Sequence, residues 1–351
     1  MKISRFEIDF LNVEDADAIL IHFYDEHDNN YVVAIDAGRY SDGDMVSQFV
    51  KSHYHTRHIN LAICTHCDDD HYGGFIKMLE EQKNYPYTGI KIDSFMINDP
   101  GKYATADDYK YYRLNANVKD KAREVYDVEN DKNLIEMIDE LKIKRTEALS
   151  WEGNNNYSFF DGVFEILAPT QRYYQSLVPS LRNDLIPYDT TDTDTDDTSL
   201  CYGQCLSPKL DATPDDTSSH NRSSVIVMFK PNPTDKFIFM GDASESSFNQ
   251  MLSLDRDKMK NATLLKVPHH GSHHNLSSSI INLINPKFAI VSAKSTKKYF
   301  SPRVKFALKK KGALVYSTHI NGSLWYHHGI DGRDDEYGPV TFINTSVNFY
   351  R

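Results

Sequence analysis

Polar and apolar residues alternate over residues 3–10, and branched apolar residues crowd 18–24 and 31–36, so the chain opens with three predicted strands. Residues 42–53 change period: Met45, Val46, Phe49 and Val50 recur at helical spacing. A short buried strand is expected at 60–64, then a loop over 65–74, a helix at 75–82 and a strand at 92–97. Residues 105–145 carry a helical pattern rich in Tyr, Lys and Asp, marking a helical insertion at roughly 100–150. Strand signals return at 163–167, 224–230, 236–240, 263–267, 288–292 and 313–317, with helices expected near 244–252, 277–284 and 304–311. Between them the composition shifts sharply. The runs TTDTDTDDTS and LDATPDDTSS predict a long, mobile acidic loop at roughly 183–220. A β-rich opening followed by alternating strands and helices, without a central break, predicts one α/β unit with sheets inside and helices outside.

Composition narrows this further. The 351 residues are 40% hydrophobic and 12% aromatic, enough to bury a core and to exclude disorder throughout. No apolar run approaches the roughly 18 residues a membrane span needs, and mean hydropathy is -0.55. The first twenty residues carry acids where a signal peptide would be apolar, so a cytoplasmic chain without membrane attachment is expected. With 39 Lys+Arg against 50 Asp+Glu the formal charge is -11, which argues against a passive nucleic-acid binder. It does not forbid a site where bound cations reverse the local sign. Four cysteines are too few for a disulfide scaffold. Cys64 and Cys67 are expected to point different ways, which argues against a shared structural zinc site with Cys201 and Cys205.

Chemistry concentrates in three segments. His66-Cys67-Asp68-Asp69-Asp70-His71 follows a predicted buried strand and precedes Gly73-Gly74. Three consecutive carboxylates repel one another unless a cation sits among them. His66 and Asp68 can share one metal, with Asp70 and His71 turned toward a second; a solvated acidic turn is the competing reading. Phe237–Phe239 leads into Gly241-Asp242, an acid at a strand end that reads either as a ligand or as a helix cap. Leu264–Lys266 leads into Pro268-His269-His270-Gly271-Ser272, where one imidazole reads as a ligand and its neighbour as a supporting or acidic group. Lys294, Lys297 and Lys298, on a loop after a strand, are candidates for phosphate contact or an exposed loop. Lys309–Lys311 read as a solvated helix face.

The H-x-D-x-D-H pattern, with the later Gly-Asp and P-H-H-G-S, resembles the metallo-β-lactamase-fold hydrolases. In particular it resembles the hydrolase domain of bacterial DNA-uptake competence channel proteins and its stand-alone relatives. Asp68 stands where the family usually has a second His. The resemblance covers most of the chain but neither the 100–150 region nor the acidic loop. It implies a four-layer αββα sandwich over residues 1–351. It further implies His66, Asp68, Asp70, His71 and Asp242 as metal ligands, with His269 or His270 as the last, and Asp36 as a brace behind them. The family's third-motif His has no clear match; Asn221 and Ser223 occupy that region, with His220 nearby.

The implied activity is a dinuclear metal-dependent hydrolase using a metal-bridging hydroxide, with two divalent ions, Zn²⁺ or Mn²⁺. The additional carboxylate makes Mn²⁺ a stronger rival to Zn²⁺ than in a His-rich site. Two cations suit the in-line displacement at a phosphodiester, so a nuclease or nucleotide phosphodiesterase is expected, with a nucleic acid or nucleotide as substrate. Asp70, His270 and Lys294 are the expected catalytic residues. Asn221, Ser223, Ser272, Lys297 and Lys298 are the expected substrate contacts. Two rivals stay open: a metallohydrolase of a lactone, thioester or amide, and an interaction subunit whose metal is structural and whose 100–150 insertion binds a protein partner.

Overall fold

Strands β1 (Ile3–Phe10), β2 (Ala18–Asp25) and β3 (Asn30–Ala37) of the computed structural model form an antiparallel meander. The structure describes residues 1–105, 118–128, 132–150, 158–182, 210–294, 300–330 and 341–342. Beyond β3 the strands β5 (Leu61–Ile63), β7 (Ser94–Met96) and β10 (Lys144–Thr146) add in parallel. On the other side of β1 lie β18 (Leu324–His328) and β19 (Thr341–Phe342), which complete an eight-stranded sheet.

A second sheet has seven strands, in the order β11 (Ser158–Phe159), β12 (Phe164–Ala168), β13 (Ile226–Phe229), β14 (Phe237–Phe239), β15 (Leu264–Lys266), β16 (Phe288–Val291) and β17 (Leu314–Ser317). It is antiparallel as far as β14 and parallel from β14 to β17. Two small pairs, β4 (His58–Ile59) with β6 (Lys91–Ile92) and β8 (Asp127–Val128) with β9 (Lys132–Asn133), lie outside the sheets.

The period-two pattern explains the layering. Phe6, Ile8, Phe10, Ile19, Ile21, Phe23, Val33 and Ile35 point inward and meet Phe164, Phe229, Phe237 and Phe239 of the second sheet. Their alternates, Leu20, Val32 and Ala34, pack under the helices Gly43–His53 and Asp69–Asn84. On the far side, Ile238, Leu265 and Ala289 pack against the helices Ser278–Ile284 and Pro302–Lys310. Both faces of each sheet are covered, giving the αββα order, and the parallel strands of both sheets carry their loops at their C-terminal ends.

Several expectations change. The single strand at 92–97 is two, because Asp93 turns aside to His58, 3.2 Å from its Nδ1. The helix expected from 75 begins at Asp69 instead. Asp68 occupies its N-cap in an extended conformation, and Asp69 and Asp70 fill the first turn, where the helix dipole favours acids. The helix expected at 244–252 is two short ones, Glu245–Asn249 and Ser253–Lys258.

Among the described residues, the 100–150 region is only partly helical. It holds helices Val118–Arg123 and Leu134–Glu140, the β8–β9 hairpin and then β10 at the sheet edge. Asp99, fully buried at the end of β7, anchors it by accepting from Arg123 Nε at 2.9 Å and from Arg145 Nη1 at 2.9 Å.

Residues 210–222, the end of the stretch read as a mobile loop, form a 3-10 turn (Leu210–Ala212) and a helical turn (Ser219–Arg222). Two of their acids, Asp215 and Asp216, are drawn into the protein rather than facing water as the composition suggested. Asp215 accepts from the backbone N of Glu245 and Ser246, and Asp216 accepts from Asn221 and Asn275. The acidic run at 183–209, Cys201 and Cys205 lie outside the described residues, as do Lys297 and Lys298.

Candidate metal centre

All three motif segments meet at one edge. Asp36 ends β3, His66 and Asp68 follow β5, Asp70 and His71 occupy the first turn of the Asp69–Asn84 helix, Asp242 follows β14, and His269 and His270 follow β15. Close backbone approach makes this meeting possible. A Cβ on Gly74 would lie 2.0 Å from Ala37 O, and one on Gly241 (φ 51°) would lie 2.9 Å from Thr65 Cβ.

Asp36, itself in the left-handed region at φ 57°, organises the first sheet's contribution. Its Oδ1 accepts from Thr65 N at 2.8 Å, and its Oδ2 accepts from Thr65 Oγ1 at 2.7 Å and from His71 Nδ1 at 2.7 Å. The single proton of Thr65 Oγ1 thus goes to Asp36, so this oxygen accepts from His66 Nδ1 at 3.1 Å. His270 Nδ1 donates to Ser292 O at 3.0 Å. In His66, His71 and His270 alike, the outward nitrogen carries the proton and Nε2 presents its lone pair.

Those lone pairs face carboxylates. His66 Nε2 is 3.4 Å from Asp68 Oδ2, and His71 Nε2 is 3.4 Å from Asp242 Oδ1 and 3.9 Å from Asp70 Oδ1. His270 Nε2 is 3.5 Å from Asp70 Oδ2 and 3.9 Å from Asp242 Oδ2. His66 Nε2, His71 Nε2 and Asp242 Oδ1 are buried and make no hydrogen bond among the described residues. Lone pairs converging on anionic oxygens in a buried site are repulsive unless cations sit between them. This donor set therefore fits divalent metals. Ligand atoms of His66, His71 and Asp242 lie within 4.8 Å of one another, as do those of Asp70, His71 and His270. Imidazole with carboxylate suits Zn²⁺ or Mn²⁺.

In the metal-free chain, protons take part of that role. Burial opposes charge on Asp242, but His71, His269 and His270 hold its carboxyl well below the usual range. Burial likewise works against the His71 imidazolium, and Asp242, Asp36 and Asp70 overcome it and raise its pKa well above normal. Asp68, despite desolvation, is held far down by the hydrogen bond from His220 and by the nearby His66. Burial disfavours charge on His269 too, yet Asp242 and Asp216 push it up to about 9.

Of the two adjacent histidines, His270 is buried and groups with Asp70 and His71. His269 is tied through Nδ1 to Asn275 Oδ1 at 2.9 Å, with Asp216 Oδ2 at 3.2 Å, and its Nε2 lies 3.9 Å from Asp242 Oδ2. Both line a cleft of about 460 Å³ with Arg39, Cys67, Asp68, Asp70, Tyr72 and Asp242.

The proposed substrate contacts are placed differently. Lys294 Nζ pairs with Glu14 Oε2 at 2.7 Å on the exposed surface, so it is not the cation on the cleft wall. That position belongs to Arg39, which donates to Asp15 O at 2.7 Å and lies 3.7 Å from Asp70 Oδ2. Ser223 Oγ donates to His220 O and Ser272 Oγ accepts from His274 N, so both hydroxyls serve nearby backbone. Asn221 Nδ2 donates to Asp216 Oδ2 at 2.7 Å, beside the centre.

Sequence reasoning missed the buried ion pair beneath the ligands. Lys266 Nζ donates to Asp17 and reaches Gly241 O at 3.3 Å and Asp242 Oδ1 at 4.0 Å, with no solvent exposure. A charged residue interrupting the apolar run LLKV is the signal that could have revealed it.

Two stacked mixed sheets between helical layers, with an imidazole- and carboxylate-lined centre where parallel strands of both sheets end, make this chain an αββα sandwich consistent with the metallo-β-lactamase type. Its sequence is 30% identical over 125 residues to ComE operon protein 3 of Bacillus subtilis (strain 168), a match spanning 35% of this chain and 15% of that protein. This bears out the resemblance read from the motifs. Among solved structures the chain is similar to a long-form RNase Z from yeast, at 14% identity and a TM-score of 0.39, covering 82% of this chain and 37% of that one. The chain thus spans well under half the length of either protein. No protein-family model matches it. Among the described residues no helix is long and apolar enough to cross a membrane.

Proposed function

We propose that the chain is a metal-dependent hydrolase of phosphodiesters, acting on a nucleic acid or nucleotide. The observation that carries this reading is the convergence of the His66, His71 and His270 Nε2 lone pairs on Asp68, Asp70 and Asp242. His66, Asp68 and Asp242 would hold one divalent cation, and Asp70, His71 and His270, with Asp242, the other. When bound, such a pair lowers the pKa of water and stabilises charge on the attacking and leaving oxygens of a displacement.

The chain's own residues support the rest. Asp36 fixes the orientation of His71 through Nδ1, and Ser292 O does the same for His270. Arg39, on the cleft wall beside Asp70, presents a guanidinium whose planar fork suits a phosphate. His269, half-buried at the cleft and steadied by Asn275 and Asp216, would hold a proton at Nε2 for a departing oxygen. Asp70 lies between Arg39, at 3.7 Å, and His270, at 3.5 Å.

The test is a metal panel. Chelated protein, reloaded with Mn²⁺ or Zn²⁺, is offered single-stranded DNA, duplex DNA, RNA and cyclic dinucleotides, beside a lactone, a thioester and a peptide. We expect metal-restored cleavage of a phosphodiester that disappears in Asp242→Asn. Cleavage of the lactone, thioester or peptide with every phosphodiester intact overturns the reading.

A further inference from the structure

Next to the proposed pair lies a second donor set of different character. Cys67, Asp68 and His220 each place one ligand atom within 4.8 Å of the others. Cys67 is a free thiol, buried, on the loop between β5 and the Asp69–Asn84 helix. His220 comes from the Ser219–Arg222 helical turn, more than 150 residues away in sequence. Asp68 stands between the two sets and divides its oxygens: Oδ2 faces His66 at 3.4 Å, and Oδ1 faces His220 Nδ1 at 2.6 Å.

The tautomer of His220 decides what this arrangement can hold. Its Nε2 lies 2.5 Å from the carbonyl oxygen of Leu181, which can only accept, so Nε2 carries a proton. A neutral His220 then aims the Nδ1 lone pair at a carboxylate oxygen and toward a thiol. In the metal-free chain a second proton on the ring makes this contact a hydrogen bond, and a cation bound by the three ligand atoms would take that proton's place as they part slightly. Nitrogen, oxygen and sulfur in one small set match the donor preferences of a thiophilic divalent ion, and a cation there lowers the thiol pKa to the thiolate form.

We propose that Cys67, Asp68 and His220 form an additional binding site for a thiophilic divalent cation, of which Zn²⁺ is the representative, joined to the proposed hydrolytic pair through the carboxylate of Asp68. The site would also clamp residues 210–222 onto the 66–71 loop. It rests on the reading of the neighbouring residues as a metal centre, but it can fail separately.

Cobalt separates the two. The full chain is stripped with a chelator and reloaded with Co²⁺, and its absorption spectrum is recorded for the wild type, Cys67→Ser and His220→Asn. A thiolate ligand gives a near-ultraviolet sulfur-to-cobalt charge-transfer band, whereas imidazole and carboxylate ligands give only visible bands. The expected result is a charge-transfer band in the wild type that is lost in Cys67→Ser and weakened in His220→Asn, with visible bands retained in both. Zinc content by mass spectrometry should fall by about one equivalent per chain in Cys67→Ser.

Circular dichroism of each variant establishes that it is folded, and His220→Asn provides an independent arm should Cys67→Ser not fold. If the wild type shows visible bands but no charge-transfer band, or if the band persists unchanged in the variants, this site is wrong and the hydrolytic pair stands. His220 is then an imidazolium paired with Asp68. If the wild type binds no cobalt at all, both readings fall.

Discussion

Replacing Lys266 by Met keeps the length and apolar stem of the side chain and deletes its charge. The ammonium is fully buried, donates to Asp17 and to Gly241 O, and stands 4.0 Å from Asp242 Oδ1. At that separation a unit pair in a medium of effective dielectric constant about 20 is worth about 4 kcal/mol. Breaking a buried pair from one side typically costs about 3–5 kcal/mol, because the surviving charge is stranded. We therefore expect Lys266→Met, held in chelator, to lose about 3–5 kcal/mol of unfolding free energy, read as a lower urea midpoint at unchanged slope. Loading with Mn²⁺ should narrow the deficit, since cations at the proposed centre compensate Asp242 but leave Asp17 alone.

Lys266→Met combined with Asp17→Leu removes both charges, and should recover most of the loss because an apolar pair replaces a buried ion pair at little cost. Burial lowers the Lys266 pKa, but Asp17 and Asp242 more than offset it, so the value is raised in the folded chain. The stabilisation is then fully present below the ordinary lysine value of about 10.4 and is lost only as pH climbs through the higher folded one. The deficit should accordingly be equal at about pH 6 and about pH 8. A single variant within about 1 kcal/mol of wild type, or a double variant no more stable than the single, refutes the reasoning.

Asp36→Asn replaces one accepting oxygen by an NH₂ group that must face a donor, either Thr65 N or the Thr65 Oγ1 and His71 Nδ1 pair. Metal affinity by calorimetry should fall about 10–100-fold while the fold persists, and unchanged affinity would show that Asp36 does not orient His71. Gly74→Ala would place a Cβ 2.0 Å from Ala37 O, so the Asp69–Asn84 helix must shift away from β3. Thermal melts should show a loss at or above about 1–3 kcal/mol, and a neutral variant would mean the helix moves freely.

His269 has its pKa pushed up to about 9 by Asp242 and Asp216 against burial, so its stabilisation is fully present below the unfolded value and is lost as pH rises through about 9. In chelator, the wild-type melting temperature should therefore fall between about pH 6.5 and about pH 9, more steeply than in His269→Gln. Parallel profiles would remove His269 from the electrostatics of the centre.

The three segments that end predicted strands with ligand-type residues meet at one edge. Each ends a short apolar strand with ligand-type residues, so local pattern and chemistry were visible together in 60–71, 236–242 and 263–270. What stayed hidden depends on contacts remote in sequence. Lys266 reads as one polar interruption in LLKV, and its partner Asp17, 249 residues away, lies in an unremarkable turn between β1 and β2. His220, Asp215 and Asp216 sit in a stretch whose composition signals solvent. They are structured because strand-end backbone and imidazoles supply the hydrogen-bond partners that composition cannot reveal. Arg39 follows Ala37-Gly38 as an ordinary helix-entry residue and lines the cleft where Gly73 and Gly74 let the helix dock closely on residues 37–40. Strands β10, at the sheet edge, and β18, between β1 and β19, were too short or too mixed to register, and their pairing partners, rather than their own propensities, make them strands.

The charge inventory of the centre links these points. Asp17, Asp36, Asp68, Asp70, Asp216 and Asp242 gather where the permanent cations are Lys266, buried beneath, and Arg39, at the rim. The imidazoles can balance the excess only by taking protons at the nitrogens that would otherwise ligate, as the raised values of His71 and His269 reflect. Protons and metal ions therefore compete for the same lone pairs. Loading must release protons, and affinity must rise with pH until the imidazoles are neutral. For a chain of net charge -11, this exchange bears directly on the proposed chemistry. The protonated cleft balances its acids internally, whereas a cleft loaded with divalent cations would hold their charge beside Arg39 and turn locally attractive to a phosphodiester.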